Sequence, residues 1–338
     1  MHVPILRLLF RITILSFPLL VSIIFYLLLD PFAVLHFKMK DAEQWVFKCR
    51  DFNTIEAFKK NYPIYSYDSF ILGNSRSLAF CAFDWQKYIS PSVPFHFDAT
   101  NESLFGIFKK FIYLKKHKIK IKNAFITLDY PTLIQVKNNL KDITQIKHPE
   151  ISGESYLKFH FLFYKSFFQD RYWLKYIDFK FNHIFRESYG EDTFQKRYFN
   201  LNLTTNDLVI ESDENAIRTD SVGYYIKKIH RFYSRDTLPE SYPESIGSIQ
   251  VSYLQEIKSI LQANKSEYYI IIHPHYNQIK LNSRDLNILN EIFGKNHVYD
   301  FSGKNEYTRE VGNYFEPEHF KRKIGRDIFS RIYRKSIN

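Results

Sequence analysis

The sequence predicts an α/β protein: a three-layer fold with a parallel sheet flanked by helices, a large aromatic-rich insertion, and one N-terminal transmembrane helix. Three observations predict it. Short apolar strands alternate with amphipathic helices over residues 67–131 and again over 248–338, the pattern of a parallel sheet covered on both faces. Between these stretches the alternation stops, and residues 132–247 become aromatic and charge-rich, including FHFLFYKSFFQDRYWLKYIDFKF. At the start, Ile12 to Leu29 form eighteen residues without a charge, long enough as a helix to cross the hydrocarbon core.

Length and composition agree with this division. The 338 residues are 45% hydrophobic, enough for one sizeable α/β core plus an anchor. Only 10 glycines accompany 33 Phe and 25 Tyr, which excludes collagen-like and glycine-dense repeats. The formal charge of +11 comes from 47 Lys and Arg against 36 Asp and Glu, dispersed along the chain without a nucleic-acid motif. It reads as a solvated, Lys-biased surface that would gain from an anionic membrane, and no nucleic-acid partner is expected. Two cysteines, Cys49 and Cys81, are too few for a disulfide scaffold; one bridge is open to them, while the apolar run around Cys81 favours a buried free thiol.

Arg7 and Arg11 precede the span, so the positive-inside tendency places residues 1–30 as a cytoplasmic tip and signal anchor, with everything after Asp30 across the membrane. No small-x-small cleavage site follows the apolar run. Residues 31–66, helical in period from Ala42 to Lys60, connect the anchor to the next domain. There the first strand is Ser69–Leu72, followed by a helix from Arg76 to Tyr88. Phe95–Phe97 is the second strand, with a helix from Glu102 to Lys116, and Ala124–Leu128 is the third. After the insertion come a helix Val251–Ala263, strand Tyr268–Ile272, helix Ser283–Phe293, strand His297–Phe301 and a last helix from Glu318 to Lys335.

Ser75, in Gly73-Asn74-Ser75-Arg76-Ser77, stands between a strand and a helix, where a tight turn presents its hydroxyl at the carboxyl edge of the sheet. The following helix would aim free N–H groups and its positive end at charge developing on an acyl carbonyl. An N-cap serine fits the same tripeptide. In Glu316-Pro317-Glu318-His319 a carboxylate precedes a histidine by three residues, close enough for Glu316 to hold one ring nitrogen of His319 and leave the other for a serine proton.

Together the two motifs resemble the SGNH (GDSL-like) hydrolases, whose first block supplies the serine and whose last supplies the Asp-x-x-His pair. The wording is closest to the membrane-anchored branch that includes teichoic-acid D-alanylation and alginate O-acetylation proteins. The resemblance covers residues 67 to 130 and 250 to 335. It implies an esterase or O-acyltransferase acting on a cell-envelope glycan, with Ser75, His319 and Glu316 as a triad, no metal or organic cofactor, and a multi-spanning acyl-exporting partner.

Three positions depart from the family pattern. Glu316 stands where the family has Asp. The second and third blocks, which normally bring an oxyanion-donating Gly and Asn, read Asp98-Ala99-Thr100-Asn101 and Leu128-Asp129-Tyr130-Pro131. An ionised Asp129 cannot donate, so the Ser75 N–H, the backbone near Ala99 and the Asn101 amide are the expected donors. Arg76 could bind a substrate carboxylate or phosphate. His273 and His275, following a strand, would sit at the same sheet edge and line the acyl or sugar pocket; as metal ligands they lack a third partner. A fold retained as a non-catalytic glycan-binding or assembly module is the alternative.

Overall fold

The computed structural model describes residues 2–37, 43–46, 48–182, 186, 194–198 and 200–335. It is an α/β structure built on five parallel strands, β1 (Ser69–Leu72), β2 (Pro94–His96), β3 (Asn123–Leu128), β4 (Glu267–Ile272) and β5 (Val298–Asp300). Their spatial order is β2-β1-β3-β4-β5. The chain leaves β1 to one side for β2 and returns to the other for β3, so strand order reverses beside β1, the place where α/β sheets open a crevice at their carboxyl edge.

Strict alternation along each strand divides the core between the two faces. Phe70, Leu72, Ala124, Ile126, Tyr268 and Ile270 pack into one cluster, against helices α2 (Arg50–Tyr65), α4 (Leu104–Lys116), α7 (Ser248–Ala263) and α8 (Ser283–Phe293). Their neighbours Ile71, Phe125, Tyr269 and Ile271 face the other way, against α3 (Ala82–Ile89) and α9 (Arg322–Lys335). Because every strand is covered on both sides, the strands read as continuous apolar runs.

Several elements differ from the sequence expectation; in the stretch expected to be helical from Ala42 to Lys60, Glu43–Val46 is a strand and the helix begins at Arg50. Residues 31–66 do more than connect: Ile55 and Phe58 of α2 belong to the main core. The helix expected from Arg76 to Tyr88 is two pieces, a 3₁₀ turn Ser75–Ala79 and then α3, separated by the non-helical Phe80 and extended Cys81. Packing dictates that break, since Gly325 of α9 approaches so closely that a Cβ there would lie 2.0 Å from the Ala79 carbonyl oxygen. The last helix begins only at Arg322, and the residues before it form an antiparallel hairpin of β6 (Tyr314–Glu316) and β7 (His319–Phe320) around Pro317 and Glu318.

Both cysteines are buried free thiols. One N-terminal helix, α1 (His2–Leu29), is long and apolar enough to cross a membrane over Arg7–Leu29, and nearly all of that stretch lies outside the core. Within residues 132–247, α5 (Tyr156–Phe168) and α6 (Tyr172–Asn182) form an aromatic pair that shares a third cluster with Tyr26, Phe32 and Phe52. The later part of that stretch lies against the sheet edge, where Asn206 and Thr205 exchange hydrogen bonds with the His96 backbone at 2.7 and 2.8 Å.

Candidate active site

The turn after β1 is held open by small residues and closed by polar ones. A Cβ on Gly73 would stand 1.8 Å from Thr127 Oγ1, so β3 can approach this closely only because residue 73 has no side chain. Asn74 then caps the 3₁₀ turn: its Oδ1 accepts the Arg76 N–H at 2.9 Å and its carbonyl accepts the Ser77 N–H at 2.9 Å. Those two donors are therefore consumed within the turn, contrary to the expectation that a following helix would leave them for a ligand. Among the described residues the Ser75 N–H meets no acceptor.

Ser75 Oγ lies 2.9 Å from His319 Nε2, and His319 Nδ1 lies 2.6 Å from Glu316 Oε1. The acid and the imidazole face each other as a directly paired couple across the two-residue hairpin turn, not on a helix start. The arrangement orients the ring with Nδ1 toward the carboxylate and Nε2 toward the hydroxyl. It can accept a proton from Ser75 and stabilise the imidazolium that results.

Side chains from the sequence-silent stretch 132–247 brace this hairpin. Tyr225 donates its hydroxyl to the Tyr314 carbonyl at 2.7 Å, Tyr224 to the Phe315 carbonyl at 3.1 Å, and Lys228 Nζ stands 3.8 Å from Glu316 Oε2. Burial and the adjacent Asp213 push the Tyr224 phenol well above its usual range, so it remains a donor. No sequence signal couples residues 224–228 to 314–316, which are some ninety positions apart.

A second hydroxyl–imidazole–carboxylate series lies two residues beyond Ser75. Ser77 Oγ donates to the Asn74 carbonyl at 2.7 Å and stands 2.9 Å from His96 Nε2, while His96 Nδ1 is 3.1 Å from Asp207. All three are fully buried, which keeps substrate away from them. Asp207 also takes the Ala82 and Phe83 N–H groups at 2.7 and 3.0 Å, capping α3. This series is a brace that fixes the turn carrying Ser75, and it was not visible in the sequence because its members come from three distant segments.

The other expected residues take different places. Arg76 is clamped between carboxylates, with Nη1 2.8 Å from Asp129 and Nη2 bonded to Glu318. Asp129 also accepts from Asn74 at 2.9 Å and from the Thr132 N–H at 2.8 Å. Burial alone would raise its pKa, but the Arg76 charge, His273 and Thr132 hold it well below the usual carboxylate range. The Ala99 N–H, expected near an oxyanion, is given to the Gly73 carbonyl at 3.2 Å, and the Asn101 amide donates to Thr144 at 3.1 Å. Neither joins Ser75: the carbonyl and hydroxyl that they meet are nearer partners.

His273 and His275 lie behind Arg76 instead of beside Ser75. His273 Nε2 is 3.3 Å from Asp129, and His275 Nε2 is 4.0 Å from Glu318. Burial, with the nearby Arg76 charge, keeps the His275 pKa well below its usual value. Metal-like spacing among the described residues occurs elsewhere, at Glu56, His148 and Glu150, where the Lys59 ammonium already bonds both carboxylates at 2.9 and 2.6 Å.

Beside Ser75 and His319 opens a narrow cleft of about 20 Å³, walled by Leu78, Leu208, Ile210, Phe315 and Phe320, with Arg76 at its polar side. Two of those walls, Leu208 and Ile210, follow directly on Asp207, so the brace that fixes the serine turn also places the cleft. No protein-family model matches the chain, and no curated protein sequence matches it significantly.

Proposed function

We propose that this protein is a membrane-anchored serine acyl-ester hydrolase or O-acyltransferase of the SGNH type, acting on a cell-envelope glycan on the extracytoplasmic side. The observation that carries the reading is the continuous Ser75–His319–Glu316 hydrogen-bond series at the carboxyl edge of a parallel sheet.

In this mechanism Ser75 Oγ attacks the acyl carbonyl while its proton passes to His319 Nε2. Glu316 stabilises the imidazolium through Nδ1. The tetrahedral oxyanion is met by the Ser75 N–H and by the Arg76 cation, which Asp129 holds against the turn in place of the family's amide donor. Collapse returns the proton from His319 to the departing alcohol and leaves an acyl group on Ser75. A sugar hydroxyl or a water molecule then attacks the acyl group and repeats the steps in reverse, its proton going to His319 and Ser75 Oγ leaving as the alcohol. The narrow cleft fits the alkyl part of a short acyl group. A single helix cannot carry an activated acyl donor across the bilayer, so a multi-spanning acyl exporter is the natural partner.

A second reading, a glycan-binding or assembly module without turnover, is favoured by one finding: the Ala99 N–H and Asn101 amide are both committed elsewhere. Fluorophosphonate labelling of the full chain separates the two. Labelling of the native protein, lost in Ser75→Ala and His319→Ala, is the expected result. Its absence from the native protein, or its survival in Ser75→Ala, overturns the enzymatic reading. Incubating a labelling-competent protein with a small acetyl ester and oligosaccharides then shows whether sugar or water takes the acyl group.

A further inference from the structure

The aromatic helices α5 and α6 have two apolar faces each, and the fold fully buries only one. Phe159, Phe163 and Phe167 of α5 are buried in the cluster under α1, spaced four residues apart as one helical stripe. A second stripe runs through Leu157, Phe161, Tyr164 and Phe168: Leu157 is 81% and Phe161 58% exposed, while Tyr164 and Phe168 sit half-buried at the margin of that cluster. On α6 the same holds for Leu174 and Phe181, the latter 79% exposed, while Tyr172, Tyr176 and Phe179 are buried. A helix apolar on both sides in water is costly; in a bilayer boundary it is expected.

The contact with α1 shows which surroundings apply. Tyr164 bonds the Ser22 hydroxyl at 2.7 Å, its ring meets Tyr26 edge-on at 5.6 Å, and Phe167 lies 6.1 Å from Phe25. Ser22 is seven residues before Leu29, the end of the apolar stretch. At 1.5 Å per residue that places the Tyr164 contact roughly 10 Å inside that end of the helix. If α1 spans a bilayer, α5 cannot hold this contact from the aqueous side; it must enter the outer part of the leaflet. Between Tyr156 and Asn182 there are five basic side chains against two acidic ones, the balance that suits anionic headgroups.

We infer that α5 and α6 form a second membrane element, a monotopic aromatic hairpin sunk into the leaflet beside the end of α1, with the bilayer itself as the occupant of its exposed face. This rests on the reading of α1 as a membrane anchor. It gives the protein two attachments, so that the sheet edge bearing Ser75 is held at a fixed attitude to the membrane instead of swinging on a tether.

Nitroxide labels on single introduced cysteines in the full chain, reconstituted in nanodiscs of phosphatidylcholine and phosphatidylglycerol, test it; the native thiols are buried and stay out of the labelling. Collision with oxygen against a water-soluble nickel chelate reports lipid or water. Leu15 serves as the bilayer reference and Lys295 as the aqueous one. Labels at Phe161 and Phe181 should show the oxygen-dominated ratio of Leu15, reversed from that of Lys295. Nickel-dominated labels at Phe161 and Phe181 with Leu15 still in lipid overturn the inference alone. Labels shielded from both reagents mean a protein covers the face, which also overturns it. Nickel access at Leu15 removes the anchor and the inference with it.

Discussion

Glu316 and His319 meet across a hairpin turn, with Oε1 2.6 Å from Nδ1. In the proposed mechanism, Glu316→Gln would keep the shape but lose the charge that stabilises the imidazolium and leave the ring tautomer undetermined. In a Ser-His-acid triad that change costs roughly 10⁴-fold in rate, read here as the rate of fluorophosphonate labelling; a variant labelling at the native rate would detach Glu316 from the chemistry. Asp129 makes the opposite contribution. Its folded pKa is depressed, so the stability it adds is complete above about pH 4 and is lost as pH falls through the folded value. Asp129→Asn should therefore flatten the acid limb of a plot of melting temperature against pH, and an unchanged acid limb would contradict its ion pairing with Arg76. The two short motifs were legible because Ser75, His319 and Glu316 each lie within one turn of a recognisable sequence feature. Asp129 was legible only as a misfit. Its role depends on Arg76, Asn74 and His273 converging from other strands, which no linear spacing reports.

At the scale of elements, strands and long helices were readable because burial on both faces writes uninterrupted apolar runs and 3.6-residue periods. What escaped was set by contact: the break at Phe80 and Cys81 answers to Gly325, and α2 joined the core although its sequence is half polar. That polarity has a structural use. Asp51 of α2 and Glu102 flank Lys110 of α4 at 3.1 and 2.5 Å, and Lys147 adds a second cation 2.8 Å from Glu102, all without solvent. Lys110→Met would strand two buried carboxylates between fewer cations. Breaking a buried pair from one side costs about 3–5 kcal/mol, measurable by urea titration of the detergent-solubilised protein. A loss under about 1 kcal/mol would mean that Lys147 alone satisfies both acids, as in a network that repacks.

For the molecule as a whole, orientation decides whether the sheet edge bearing Ser75 meets an envelope substrate at all. Arg7 and Arg11 lie before the apolar stretch, and on leaving it Asp30 folds the chain back, accepting the Val34, Leu35 and His36 N–H groups at 3.0, 3.1 and 2.8 Å. Among the described residues α1 is the one helix long and apolar enough to span. If α1 is a signal anchor, Arg7 and Arg11 would stay in the cytoplasm, since cations near a span resist translocation, and the remainder would cross. Lys38 and Lys40, just beyond the span, pull weakly the other way, so the outcome hangs on a small number of charges. A C-terminal alkaline phosphatase fusion to the full chain should be active and the matching green fluorescent fusion dark. Replacing both arginines, Arg7→Glu with Arg11→Glu, should then shift part of the population to the inverted form, because Lys38 and Lys40 become the dominant cations. A fluorescent, phosphatase-inactive native fusion would place the sheet edge bearing Ser75 in the cytoplasm and rule out an envelope substrate. An orientation unmoved by the double substitution would show that something other than these charges sets it.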